Sequence, residues 1–463
     1  MRSKLNRWFF MPFVAMLVSL SACNKASDKK TVNTDSATKS LLGKGYALEI
    51  FGNANGDWYI DQEDINLVRQ IIRGEKEKTD FSDANQDGVV DDADLAQIQK
   101  IIDNKPDILW MLDGNGKKVQ IPLPVRRIGV EYHSNAELMN VLGVADRVVA
   151  VDAGAHALRD IYFPGRSEIA NMGAMAPNPN FEKVLDLDLD VLFTFPADTE
   201  TKASSLPQTR VVFLGLYWPN VIEPQSSKFM QGVIKAGYIV GKKERAYDYA
   251  NWLLGLVDNI KQRTASLPQE KRPAVLMTSY NRYFQDGETK TASIYTSIDP
   301  LSQACMLAGC RPIAEKIPEW SGKGAVYGTT VGMEWIMEQD PEFIFAHSVR
   351  YTYGGQTREP SLGYDAEDSE AMENAAANMK KLPLLQNLKA VKNNHAYVTA
   401  GDFRNNAMGG ILGASYLAKA MHPGLFADFD PVSIHQEFVS RWMGLNYDLS
   451  KKGVFIAPSP TAK

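Results

Sequence analysis

From residue 127 onward the chain alternates short apolar runs with amphipathic stretches. RRIGV is followed by a helical pattern over Asn135–Leu142 that Gly143 stops, and then by RVVAVD. A second unit, FEKVLDLDLDVLFTF, begins with helical spacing near Phe181 and ends in an extended run, and TRVVFLGL adds another extended run. Runs of four to six apolar residues separated by helical spacing predict a mostly parallel sheet covered by helices. Between Glu244 and Arg263 the rhythm changes, with apolar residues at Ala246, Ala250, Leu253, Leu254, Val257 and Ile260 and no Pro. That stripe predicts one long helix of ~30 Å. The strand and helix alternation then restarts in PAVLMTSY, DPLSQACMLAG, MEWIMEQDPEFIFAHS and HAYVTA, and terminal helices close with VSIHQEFVSRWMGL. Ahead of all this, WMLDGNGKKVQIPLPV holds two extended runs around Asp113-Gly114-Asn115-Gly116, a hairpin signal. The expected body is α/β: a lobe at 107–240, a joining helix at 241–265 and a second parallel-sheet lobe at 266–463.

Residues 45–106 follow another pattern. FGNANGDWYIDQEDINLVRQIIRG from Phe51 aligns with FSDANQDGVVDDADLAQIQKIIDN from Phe81, a repeat of 30 residues. In the second copy Asp83, Asn85, Asp87, the Val89 carbonyl, Asp91 and Asp94 occupy positions 1, 3, 5, 7, 9 and 12 of a calcium loop, with Gly88 at the sharp turn. The first copy offers Asn53, Asn55, Asp57, the Tyr59 carbonyl, Asp61 and Asp64, with one carboxylate fewer and Trp58 where the turn wants Gly. It is expected to bind more weakly. With Asp at position 12 and an amphipathic helix after each loop, the segment resembles a dockerin module. Residues 45–107 carry fifteen Asp and Glu against six Lys and Arg, so bound Ca2+ would also relieve repulsion. Three roles stay open: a calcium-stapled structural appendage, a dockerin that captures a cohesin-like partner, or an acidic hairpin without metal.

At the start of the chain, Arg2, Lys4 and Arg7 precede an apolar run from Trp8 to Leu20 that is too short for a stable membrane span and reads as an export signal. Its end, Leu20-Ser21-Ala22-Cys23, resembles a bacterial lipobox, which implies diacylglycerol on Cys23 and a lipid-anchored body in the periplasm or on the outer face. Residues 24–44 are polar and read as a solvated tether.

Composition narrows the function. A chain of 463 residues exceeds one core. Its net charge of −5, without a Lys/Arg cluster, gives no reason to expect nucleic acid. Cys305 and Cys310, in CMLAGC, are either bridged where a helix ends at Ala308-Gly309 or are two buried thiols. They are too few for a zinc or iron–sulfur centre. HExxH and GxSxG are absent.

VQIPLPVRRIGV, FEKVLDLDLDVLFTF, the long helix, MLAGCRPIAEKI and MEWIMEQDPEFIFAHS together resemble the substrate-binding lipoproteins that feed iron-siderophore, haem and cobalamin ABC importers, the class III periplasmic binding proteins. The resemblance spans about Trp110 to Pro458. It implies a stiff two-lobed clamp that is not an enzyme, and a role in delivering a metal chelate to an ABC permease. It also implies that Glu182 and Glu334 dock on that permease. Ligands of open parallel sheets sit beyond the carboxyl ends of the strands. That rule selects Tyr132, His133, His156, Trp218, Tyr280, Arg282, His347, Arg350, Tyr351, Phe403 and Arg404, with Trp320 and Tyr327 in a nearby glycine-containing loop. Aromatic rings with three Arg suit a large, flat, anionic ligand. A siderophore, haem or a corrinoid would each fit. A different class remains in view, a cell-surface assembly protein acting through the dockerin-like pair.

Overall fold

The computed structural model describes residues 42–43, 46–175, 179–195, 199–216, 220–280, 284, 290–322, 326–348, 351–353, 356–358, 362–405 and 408–460, with backbone alone at 351–353, 356–358 and 405. The export signal, Cys23, nearly all of the tether, Trp218, Arg282, Arg350 and the Tyr351 side chain lie outside the described residues.

The repeat folds as two loop–helix units, α1 (Gln62–Ile72) and α2 (Asp92–Ile102). Each helix starts for the same local reason. Asp61 and Asp91 cap the first turn, and Asp64 and Asp94 reach back to the cap N–H, which satisfies donors that the helix leaves unpaired. Their apolar faces meet through Ile65, Val68, Ile98 and Ile101. Gly52 is required there, since it has φ +107° and a Cβ would lie 3.3 Å from both Ile98 and Ile101.

A hairpin, β1 (Ile108–Leu112) and β2 (Lys118–Pro122), leads into the first lobe. Its turn is held by Asp113 Oδ1, which accepts from Asn115 N and Lys117 N, with Gly116 at φ +77°. In the lobe, β3 (Ile128–Val130) leads to α3 (His133–Val141), and β4 (Val148–Val151) and β5 (Ala170–Asn171) follow. Then come α4 (Phe181–Leu185), β6 (Val191–Thr194), α5 (Thr199–Ser205) and β7 (Arg210–Phe213). The sheet has the order β5-β4-β3-β6-β7 and is parallel throughout. A helix not expected from the sequence, α6 (Lys228–Ile239), turns at Gly241 into α7 (Lys243–Thr264), the 22-residue joining helix. Arg245 on α7 donates to the carbonyls of Val141 in the first lobe and Trp442 at the far end of the chain, so both halves grip one rod.

The second lobe contains β8 (Ala274–Ser279), β9 (Thr291–Tyr295), α8 (Pro300–Leu307), β10 (Arg311–Pro312), β11 (Gly328–Gly332), α9 (Met333–Gln339) and β12 (Phe343–Ser348). A small hairpin, β13 (Tyr351–Tyr353) and β14 (Gln356–Arg358), precedes β15 (Ala396–Ala400), α10 (Gly409–Met421), α11 (Pro431–Glu437) and β16 (Ile456–Ala457). Its sheet runs β10-β8-β12-β15-β16, parallel except for the last strand. The antiparallel pair β9–β11 lies outside the expected rhythm because its partners are more than thirty residues apart. Cys305 and Cys310 form a disulfide, Cα to Cα 5.7 Å, which α8 allows by ending at Leu307, with Gly309 in the left-handed region.

Candidate functional site

The carboxyl ends of the first lobe's strands carry a charged group that sequence reasoning missed. Glu131 follows β3, is 2% exposed, and its carboxylate accepts three hydrogen bonds. Lys202 Nζ on α5 lies 2.7 Å from Glu131 Oε2, Phe195 N donates to the same oxygen at 3.0 Å, and Thr194 Oγ1 donates to Oε1 at 3.0 Å. Lys202 also donates to Thr194 Oγ1 at 3.0 Å and has no exposed surface. Burial pushes the Glu131 carboxyl up against the opposing pull of Lys202. Such a pair is tolerated because each partner satisfies the other, with neutral donors on the carboxylate and the Thr194 hydroxyl as acceptor for the ammonium.

Tyr132 comes next with φ +71° and ψ 150°, a backbone region that costs a side-chain-bearing residue roughly 1–3 kcal/mol. The twist lays its ring on Phe195, centroids 4.7 Å apart, at the mouth of a cavity of about 240 Å³ that Glu131, Asp152, Phe195 and Lys202 help to line. His133 opens α3, and its Nδ1 is buried without a partner. Burial lowers the His133 pKa and raises that of Asp152 beside it, each resisted by the charge of the other. His156 is half-buried and turns its Nε2 toward Arg159 Nη1, 3.5 Å away.

The second lobe presents a second group. Arg404 lies 4.9 Å above the Tyr295 ring and directs Nε and Nη2 to Asp299 Oδ2 at 2.9 and 2.7 Å. Asp299 is fully buried, and that burial raises its pKa despite Arg404. His347 Nδ1 donates to Thr278 O at 3.0 Å and lies 3.1 Å from Tyr295 Oη. Its pKa falls to about 3, chiefly through burial and then through the Arg404 charge, so this imidazole is neutral at physiological pH. Trp320 and Tyr327, both half-buried, are tied by their main chains to the segment that follows Tyr295, Ser297 N donating to Trp320 O and Thr296 N to Tyr327 O, each 3.0 Å. Tyr280, 4% exposed, stands at the exit of β8.

Phe403 is a correction. Its side chain is 1% exposed and packs on Tyr416, Phe455 and Gly413, so it belongs to the core and is removed from the ligand set. The structure brings together Tyr132 and His133 in one lobe, and Trp320, Tyr327, His347 and Arg404 in the other. Glu131, Asp152, Lys202, Tyr295 and Asp299 are the additions. Glu131 and Asp152 had a signal, since each directly follows a strand's last apolar residue. Lys202 had none.

Glu182 and Glu334 are exposed in the first turns of α4 and α9. Three residues further along each helix stands an exposed apolar side chain, Leu185 at 45% and Met337 at 39%. α4 precedes β6 and α9 precedes β12, so the two lobes display matching corners.

A family model described as "Periplasmic binding protein" matches residues 130–402. The chain belongs to the periplasmic binding proteins. These are exported, non-enzymatic partners of ABC permeases that bind small molecules. Solved structures of similar fold include a TroA-like periplasmic binding protein, FepB, from Veillonella parvula, 17% identical, TM-score 0.57, covering 75% of this chain and 98% of that one. The molybdate-binding protein MolA of Haemophilus influenzae is 17% identical, TM-score 0.56, over 73% of this chain and 99% of its own. Helicobacter pylori CeuE with Ni(II) bound is 16% identical, TM-score 0.53, over 73% and 96%. No curated protein matches the chain. As a periplasmic binding protein, the chain has its two groups of side chains where ligands of open parallel sheets bind.

The loops of the repeat carry the candidate cation ligands. Among the described residues no three His, Cys, Asp or Glu side chains form a ready metal centre. The loops, however, also offer Asn oxygens and a main-chain carbonyl. At position 1 of each loop one buried oxygen, Asn53 Oδ1 or Asp83 Oδ1, has no hydrogen-bond partner. Burial pushes Asp64 up to about 7 and moves Asp94 in the same direction. Orphaned buried oxygens beside buried carboxylates, whose main-chain hydrogen bonds leave burial the larger effect, fit a hard cation such as Ca2+.

Proposed function

We propose that this protein is a lipid-anchored solute-binding protein that captures a metal chelate, a ferric siderophore or a related metal-tetrapyrrole, and delivers it to an ABC permease through Glu182 and Glu334. The observation that carries the reading is the gathering of Tyr295, Trp320, Tyr327 and Arg404 at the carboxyl edge of one sheet, with Tyr132 on Phe195 at the matching edge of the other. Rings supply apolar area to a flat ligand, and a guanidinium held by a buried carboxylate is a fixed donor rather than a wandering one. Because Asp299 balances Arg404, the charge that selects an anion rests on Arg282 and Arg350. MolA with molybdate bound and CeuE with Ni(II) bound show that similar folds hold an oxyanion or a metal ion. In the same reading the two loops of the repeat hold Ca2+, and Cys23 carries the lipid.

The test is direct. Purified protein is titrated with ferric siderophores, haem, cobalamin and molybdate, followed by intrinsic fluorescence and ligand absorbance, and any molecule retained through purification is identified by mass spectrometry. One chelate is expected to bind with Kd of about 1 μM or tighter, some 8 kcal/mol. Failure of the whole panel, with no retained solute, would remove the chelate reading.

A further inference from the structure

The two copies of the repeat have diverged in what they touch. In the second loop the stretch at positions 6 and 7, Gly88 and Val89, faces solvent, Val89 being 59% exposed. In the first loop the equivalent stretch, Trp58, Tyr59 and Ile60, is seized by the body. Tyr247 Oη donates to Trp58 O at 2.5 Å, the Tyr59 ring stacks on Tyr247 at 4.7 Å, and Ile60 N donates to Tyr238 Oη at 3.4 Å. Tyr238 and Tyr247 are themselves 3.2 Å apart through their hydroxyls. Trp58 is 1% exposed, whereas its counterpart Gly88 faces solvent. Both loops nonetheless keep the same left-handed residue at position 4, Gly56 at φ +69° and Gln86 at φ +63°, and the same orphaned oxygen at position 1.

The rest of the seam is polar and buried. Lys243, at the start of α7, donates Nζ to the carbonyls of Ile101 and Ile102 at 2.9 and 2.6 Å, capping the end of α2. Lys235, 1% exposed, pairs with Glu49 at 2.7 Å. Phe51 N bonds Trp110 O and Leu112 N bonds Glu49 O, so the repeat continues the hairpin that opens the first lobe.

We propose that the first loop is a cation-set clasp: Ca2+ held there fixes Trp58–Ile60 against Tyr238 and Tyr247, so that its binding is linked to the seating of the helix that joins the lobes. The inference rests on the calcium reading of the loops and goes beyond it. A cation that favours the folded loop lowers the free energy of the loop-bound body, and by reciprocity the grip of Tyr247 must tighten the cation. The turn of the second loop faces solvent instead, and that loop meets the opening hairpin through Gln86 Oε1, which accepts from Lys118 Nζ at 2.6 Å, so its cation is not gripped by Tyr238 and Tyr247. The repeat then serves the clamp from within, in place of capturing a separate protein.

The experiment uses the full chain, with calcium binding followed by isothermal titration and unfolding by calorimetry, with and without chelator. Calcium is expected to raise the main unfolding transition of the lobes by several degrees. Tyr247→Phe, which removes one hydrogen bond, should weaken one class of site about fivefold and leave the other unchanged. Lys243→Met, which cuts the seam away from the loop, should reduce the calcium-dependent rise in melting temperature. Asp83→Ala in the second loop should abolish one site and keep that rise. If no calcium binds, the calcium reading falls and the clasp with it. If calcium binds but shifts only a separate minor transition, or if Tyr247→Phe leaves both affinities untouched, the clasp is overturned while the calcium reading stands.

Discussion

Replacing Lys202 by Met is expected to lower the free energy of unfolding by ~3–5 kcal/mol, the cost of leaving one member of a buried ion pair without its partner. Glu131 would keep only the Thr194 hydroxyl and the Phe195 amide, while 2% exposure denies it water. Its pKa is already raised by burial, so removing the opposing cation drives it further toward the neutral acid. The double variant Glu131→Gln/Lys202→Met should recover much of the loss, because the amide needs no counter-charge. Urea denaturation followed by tryptophan fluorescence reads all three proteins. A loss below ~1 kcal/mol for Lys202→Met would show that the pair is hydrated or dispensable. The pair also builds the wall beneath Tyr132, so its strength bears on how firmly the first lobe presents that ring.

The second large effect is expected in transport. Reversing both Glu182 and Glu334 to Lys should reduce uptake of the bound solute at least tenfold, about 1.4 kcal/mol or more of lost docking, while the affinity for solute changes less than twofold. Both carboxylates are exposed, so neither reversal breaks a buried contact and folding should survive. Their matching positions on two similar lobes suit a partner that offers the same surface twice. Leu185 and Met337, one turn along, would be covered in the same contact. Uptake in cells or proteoliposomes, set beside solute titration of the same variants, separates delivery from capture. Equal uptake would place docking elsewhere.

The fold was legible wherever burial dictates periodicity. The stripe over 244–263 became α7 at Lys243–Thr264 because an amphipathic run without Pro has one stable outcome. VLFTF and EFIFAHS became central strands because both faces of a parallel sheet are covered. The site was only partly legible. Strand exits located Tyr132, His347 and Arg404, yet a side chain at an exit turns either to the crevice or to the core, as Phe403 shows, and sequence position does not choose. Lys202 was invisible because its partner lies seventy-one residues away. Arg404 is selected by its strand exit as a ligand group, and its Nε and Nη2 edge is engaged by Asp299, whose place at the start of α8 reads simply as a helix cap. The divergence of the two loops was visible as Trp58 in place of Gly88. Its cause, a tyrosine on the joining helix, lies almost two hundred residues downstream.

A solute held between the two sheet edges should protect both lobes at once, which hydrogen exchange of the full chain reads with and without saturating chelate. Protection is expected together at residues 131–134 and 152–156 in the first lobe and at 295–297, 320–327 and 402–404 in the second. Protection confined to one lobe, or to the calcium loops, would contradict it.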